Sequence, residues 1–158
     1  MRIRHCVAVV GVAAALMALP GAAHANSPER FNESEHVHEV VGTCGLGDDL
    51  VADLAVTESV TVFAPEQATL HLQVVGTITR TGTDVVGKYA ERQRDFFDAD
   101  GSERYVGVLS HLVVPGGGGF TWAGQAQVTP DGELFTTHAL APLLVTDFVA
   151  TICDALAR

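Results

Sequence analysis

The sequence predicts an all-β domain, an antiparallel sheet of about eight strands in mostly meander order. Apolar and polar residues alternate along most of the chain after residue 36, which is the period of a strand with one buried face. Turns rich in Gly, Pro and Asp separate the alternating segments, and they are too short for parallel crossovers. Because closure removes exposed edges, we favour a closed β-barrel over a two-sheet sandwich.

The individual strands follow from the breaks in this pattern. Turn chemistry is clearest at Asp98–Ser102 and at Thr129–Gly132, where Asp, Pro and Gly occupy positions that turns favour. The predicted strands lie near residues 36–43, 54–62, 70–78, 85–97, 104–114, 120–128, 134–140 and 148–153.

The pattern leaves the type of the C-terminal element open. Four apolar residues recur at every fourth position, as on one face of a helix: Leu144, Phe148, Ile152 and Leu156. The β-branched cluster from Val145 to Ile152 favours an extended backbone instead. We predict a strand, with a short C-terminal helix as the alternative.

Residues 1–25 have the pattern of a cleaved signal peptide. Arg2 and Arg4 precede an apolar stretch over residues 7–19, and Ala23-His24-Ala25 forms a small-x-small cleavage site. The apolar stretch is shorter than the roughly 20 residues of a membrane span. We therefore expect a secreted protein without membrane association after cleavage, with a flexible leader over 26–35 and one barrel domain over 36–158.

The charge of the mature chain limits its partners. Without residues 1–25 it has seven basic and 19 acidic residues, a net charge of −12 with histidine neutral. Such a charge disfavours nucleic acid and anionic membranes as partners. Eight of the nine basic residues of the whole chain are arginines, a bias that together with abundant Ala, Gly and Val indicates a bacterial source.

Two cysteines remain after the signal segment, Cys44 and Cys153. Exported proteins meet an oxidising environment, in which paired thiols form disulfides. The zinc-type CxxC spacing is absent from the sequence. We predict a Cys44–Cys153 disulfide that ties the first structured segment to the last.

Several stretches resemble small secreted hypothetical proteins of actinobacteria. They are residues 71–80 (HLQVVGTITR), residues 101–108 (GSERYVGV), and Pro115 with the four glycines that follow it. The resemblance covers most of the mature chain, and it implies export and a small all-β domain without implying an activity. In outline alone, the eight-strand plan also resembles lipocalin-like and allene-oxide-cyclase-like barrels.

The strand over residues 87–95 is unusually polar, so one of its polar faces must point inward. Pairing across the Asp98–Ser102 turn, with residue numbers adding to about 200, places Tyr89 opposite His111. Unpaired cations cost more to bury than a Glu, a Gln and a Tyr that can be hydrogen-bonded. We predict Tyr89, Glu91 and His111 inside as candidate ligand-binding residues, and Lys88, Arg92 and Arg94 outside.

The sequence also leaves two further chemistries open. Buried Glu91 and Tyr89 could act as base and proton donor in an isomerase or cyclase, since burial raises a carboxyl pKa, or they could form a structural network. His36 and His38 share one face of a strand and are weak candidates for metal ligands. The alternative for the histidines is a solvated edge between Glu35 and Glu39.

The predicted function is non-catalytic. We expect a secreted, disulfide-closed barrel that needs no cofactor and binds a small apolar molecule in its interior or mouth. A barrel enzyme using Glu91 and Tyr89 is the alternative, and a structural or protein-interaction module is a third hypothesis. A cavity of several hundred Å³ where Tyr89 and Glu91 converge would favour the enzyme.

Overall fold

A computed structural model describes residues 28–45, 47–64, 67–136 and 147–157. The predicted signal peptide lies outside these residues. They form seven strands and one helix: β1 Glu29–Thr43, β2 Asp49–Ala64, β3 Gln67–Arg80, β4 Val86–Phe97, β5 Glu103–Val114, β6 Gly118–Val128, β7 Leu134–Thr136 and α1 Phe148–Ala155. Among them, no helix is both long and apolar enough to span a membrane.

The strands form one antiparallel meander sheet in the order β1 to β7. The all-β class and the meander order are therefore confirmed. The closed barrel is not, because the sheet is open, with β1 and β7 as its two edges. Charged side chains along β1 protect its edge instead.

The first strand begins earlier than predicted. Residues 29–35, expected to be part of a flexible leader, pair with β2 from Glu29↔Val62 to Glu35↔Val56. Their polar side chains are exposed on an edge strand, and they do not prevent backbone hydrogen bonds to β2.

The C-terminal element is a helix, so our preference for a strand is wrong. Asp147 caps α1, with its Oδ1 accepting a hydrogen bond from the backbone N–H of Ala150 at 3.1 Å. Ile152 and Leu156 are fully buried against the sheet. Tertiary packing of this apolar face thus prevails over the weak β-propensity of the neighbouring Val and Thr residues.

The sheet curls around this helix. A Cβ placed on Gly42 of β1 would lie 2.7 Å from Val149, and one on Gly118 of β6 would lie 3.3 Å from the Ala155 carbonyl. In a flat sheet β1 and β6 would be about 24 Å apart, which exceeds the helix diameter of about 10–12 Å. One helix can therefore touch both strands only because the sheet is strongly curved.

The concave surface, here called the inner face, contains the core. The largest fully buried side chains come from β2, β3, β5, α1 and the residue that follows α1: Leu50, Leu54, Val56, Val74, Ile78, Leu112, Ile152 and Leu156. The predicted Cys44–Cys153 disulfide is present, with Cα atoms 5.6 Å apart. It attaches α1 to the segment between β1 and β2, so the helix and the disulfide close the same end of the inner face.

Candidate functional site

The polar strand β4 has the orientation that its side-chain chemistry predicts. Lys88, Arg92 and Arg94 are exposed on the outer, convex face. The opposite side chains point to the inner face and are buried or half-buried: Tyr89, Glu91, Gln93 and Asp95. We call these four residues the polar row. It runs from the helix-covered end of the sheet towards the other end.

His111 is not part of this row, so its predicted inward position is wrong. Opposite Glu91, β5 contains an extra residue, Leu109, which shifts the register between β4 and β5 and between β5 and β6. Before this bulge Gln93 pairs with Gly107, as predicted, whereas beyond it Tyr89 pairs with Leu112. His111 therefore points outward, where its Nδ1 lies 2.7 Å from the Thr121 hydroxyl.

The same bulge brings a residue that we did not predict into the site. Ser110 is 2% exposed, and its hydroxyl donates to the Tyr89 hydroxyl at 3.2 Å. Tyr89 in turn donates to Oε1 of Glu91. The only sequence signal for Ser110 is its position beside His111, and without the bulge it would face solvent.

Burial is the largest influence on the pKa values of Glu91 and Tyr89. It raises the pKa of Glu91 to about 7, although the hydrogen bond from Tyr89 acts in the opposite direction. Burial, together with the nearby Glu91 charge, also raises the pKa of Tyr89 far above its ordinary value. Tyr89 is therefore a weak acid that keeps its proton and serves as a hydrogen-bond donor.

A second acidic centre lies two residues beyond Gln93. Asp95 is 3% exposed, and its Oδ2 accepts a hydrogen bond from the Gln93 amide at 3.3 Å. Its other oxygen, Oδ1, is buried and has no hydrogen-bond partner among the described residues. Burial raises the pKa of Asp95 to about 7, and the negative charges of Glu91, Glu103 and Glu58 add to the effect.

The carboxylates continue across the sheet. On β5, Tyr105 pairs with Asp95, and its hydroxyl donates a hydrogen bond to Oε2 of Glu103. On β2, Glu58 has a raised pKa because of burial and of its neighbours Glu35 and Glu33 on β1. In the half of the inner face away from α1, no described Lys, Arg or His side chain faces these carboxylates.

An aromatic cluster adjoins the polar row. The Phe148 ring of α1 contacts the rings of Tyr89, Trp122 and Phe120, with centroids 6.5, 5.4 and 6.2 Å apart respectively. Phe120 and Trp122 are 4.7 Å apart. The inner face thus combines flat apolar surfaces with buried carboxyl groups.

Two glycines lie beside the polar row. Gly107 and Gly124 pair with each other, and Gly107 also pairs with Gln93, so neither β5 nor β6 adds a side chain at this level. Gly107 has φ +139°, and a Cβ there would lie 2.3 Å from the Arg92 carbonyl. The close strand approach therefore requires glycine at this position.

The two histidines considered as metal ligands lie on the outer face. His36 Nε2 is 2.9 Å from Oδ1 of Asp53, and His38 Nδ1 is 3.2 Å from Oδ2 of the same carboxylate. All three side chains are at least half exposed. Within the ranges that the structure describes, no group of three or more His, Cys, Asp or Glu side chains is arranged to hold a metal ion.

Comparisons with known proteins find no matching family model, no matching curated protein and no matching solved structure. The functional site is therefore described by the geometry of this fold. This geometry defines an open, curled β-meander closed at one end by a disulfide-linked helix, with an acidic and aromatic inner face.

Proposed function

We propose that the protein is a secreted binding domain whose inner face takes a small ligand with an apolar body and one positively charged group. One observation carries the proposal: Asp95 is a buried carboxyl with an unpartnered oxygen on a face where no described cation neutralises it. Such an arrangement costs stability, and strongly perturbed carboxyl groups are typical of functional sites.

The surroundings of Asp95 define the ligand class. A cationic group beside Asp95 and Glu91 would supply the missing counter-charge. The ring of Tyr105, which pairs with Asp95, offers an apolar surface and a negative ring face, to which organic ammonium groups are attracted. Our prediction of a small, largely apolar ligand is therefore extended by a positive charge.

Binding is favoured over catalysis by the state of Tyr89. The isomerase or cyclase mechanism requires this residue to release a proton, but its pKa is raised and its hydroxyl is already bonded to Glu91. Two cavities found on the molecule, of about 430 and 580 Å³, are lined by none of Tyr89, Glu91 and Asp95, so neither is the cavity expected of the enzyme and neither contains the proposed inner-face site.

Export is part of the proposal. The signal-peptide pattern of residues 1–25 supports it, as does the Cys44–Cys153 disulfide, which is typical of oxidising compartments. N-terminal sequencing of protein from the culture medium should begin at Asn26. Recovery of intact Met1 protein from membranes would contradict export.

Calorimetric titration at pH 8 tests the ligand class. The probe is benzyltrimethylammonium, and benzyl alcohol is the uncharged control with the same ring. We expect binding of the cation alone, weakened about tenfold or more by Asp95→Asn because a charge-assisted contact is lost. Asp131→Asn, in an exposed turn, removes the same charge and should leave binding unchanged.

The result also separates the alternatives. Equal binding of the alcohol and the cation would indicate a purely apolar ligand and contradict the charge requirement. If neither probe binds the folded protein, the small-ligand proposal fails and the interaction-module hypothesis is favoured.

A further inference from the structure

Strands β4 and β5 separate their charges by face. On β4 and β5 the three carboxylates, Glu91, Asp95 and Glu103, all point to the inner face. Every cation of these two strands is exposed on the outer face: Lys88, Arg92, Arg94 and Arg104. Over β3 to β6 the outer face therefore has no carboxylate among the described strand residues, although the whole chain has a net charge of −10.

Three of these cations border one open groove of about 580 Å³, together with His71 of β3. Arg92 and Arg94 are two residues apart on one face of β4, which separates their Cα atoms by about 7 Å. Arg94 pairs with Val106, so Arg104 is its diagonal neighbour at about 7–8 Å. His71 pairs directly with Arg94. We call this the outer groove.

The guanidinium groups of the outer groove have no carboxylate partner among the described residues. Within the described part of the chain, none of Arg92, Arg94 and Arg104 forms an ion pair. Arg80, at the helix-covered end, behaves differently, because its Nε and Nη2 both donate to Oδ2 of Asp48. Arg104 instead forms a cation–π contact with an uncharged residue, with its Cζ 4.3 Å from the centre of the Phe96 ring.

Local charge, not net charge, determines what this groove attracts. Salt screens the interaction between exposed charges beyond about 8 Å at physiological ionic strength. The carboxylates of β4 and β5 lie on the opposite face of the sheet from the groove. Guanidinium groups donate two parallel hydrogen bonds to phosphate oxygens. A groove of this volume suits a small molecule. A long polyanion would extend beyond the groove, where the acidic remainder of the protein would repel it.

We propose that the outer groove binds a small multivalent oxyanion, a molecule carrying two or three phosphate groups, through Arg92, Arg94 and Arg104. The site is on the opposite face of the sheet from the polar row. It is therefore independent of the ligand proposed for the inner face, and either proposal can fail without the other.

The test is calorimetric titration of the mature, disulfide-bonded protein with inorganic tripolyphosphate in about 150 mM salt. Arg94→Gln removes the central guanidinium, and Arg30→Gln is the matched control because it removes the same charge from an exposed position on the outer face of β1. We expect saturable binding that Arg94→Gln weakens about tenfold or more and that Arg30→Gln changes by less than about twofold. Circular dichroism should show the same fold for both variants.

Three results would overturn the proposal. If tripolyphosphate shows no saturable binding, the groove does not bind small multivalent oxyanions. An equal loss of tripolyphosphate affinity in Arg94→Gln and Arg30→Gln would indicate unspecific attraction to the whole outer face. Retention on heparin without binding of tripolyphosphate would indicate an anionic polymer instead of a small molecule.

Discussion

Ser110 and Tyr89 are hydrogen-bonded at 3.2 Å because the single extra residue Leu109 in β5 changes which side chains face inward. Side chains alternate along a strand, so a shift of one residue exchanges the two faces. Ser110 thereby replaces His111 beside Tyr89, and the inner face receives a second hydroxyl in place of an imidazole.

The Tyr89 hydroxyl should control the titration of Glu91. Tyr89→Phe removes the hydrogen bond that stabilises the carboxylate, so the pKa of Glu91 should rise above 7. Carbon-13 NMR titration of the Glu91 carboxyl measures this change. Ser110→Ala is the control, since it leaves the Tyr89–Glu91 bond in place and should have little effect. An unchanged titration in Tyr89→Phe would show that the bond does not stabilise the carboxylate.

Stability should decrease as pH rises through 7. Asp95 and Glu91 have pKa values near 7 in the folded protein and lower ones when unfolded, so the folded state holds more protons between about pH 4 and 7. Their stabilising contribution is complete below the unfolded pKa and is lost as pH rises through the folded pKa. Between pH 5 and 8 we expect a loss of about 2–3 kcal/mol per carboxyl group.

Asp95→Asn should remove part of this pH dependence and make the protein more stable at pH 8. Urea denaturation at pH 5 and pH 8 measures the difference. Asp131→Asn, in an exposed turn, should leave the pH profile as it is. If stability increases from pH 5 to pH 8, the buried carboxyl groups are not the dominant titrating groups.

The disulfide should be important for stability but not for the identity of the fold. Replacing both Cys44 and Cys153 by Ala opens a link between residues 109 apart in sequence, and we expect a loss of about 2–5 kcal/mol. Guanidinium denaturation provides the measurement. The sheet should persist, because its core residues on β2 and β3 pack without the bond. Loss of β-structure in native buffer would show that the disulfide is required for folding.

Gly76 should be intolerant of even one methyl group. It pairs with Leu54 and Tyr89, and a Cβ there would lie 2.1 Å from the Asp53 carbonyl. Backbone atoms cannot move away easily, so Gly76→Ala should cost about 2–3 kcal/mol. Gly45→Ala is the control, because nothing lies within 4 Å of its Cβ position. Thermal unfolding should separate the two variants, and equal midpoints would show that the backbone at Gly76 has room for a methyl group.

Local patterns were sufficient for the class of the domain and for most element positions. Alternation and turn chemistry predicted the all-β meander because each strand buries one face and each turn needs particular residues. The inward and outward faces of β4 followed from the different costs of burying carboxyl groups and guanidinium groups. The Cys44–Cys153 bond followed from the number of cysteines outside the signal segment.

Other features depend on contacts between distant segments. The alternating pattern could not show whether the sheet closes, because closure depends on the length and pairing of its edge strands. The C-terminal segment had both helical and extended signals, and burial of Ile152 and Leu156 in the curled sheet decided for the helix.

The sequence by itself therefore determined the positions of most strands, which face of β4 is buried and which cysteines pair, since these depend on local periodicity, side-chain chemistry or composition. Only the tertiary structure decided that Ser110, not His111, meets Tyr89, and that the arginines of β4 and β5 share one groove. The physical reason is register: a bulge at Leu109 leaves no mark in hydropathy, yet it reverses the direction of every following side chain in β5.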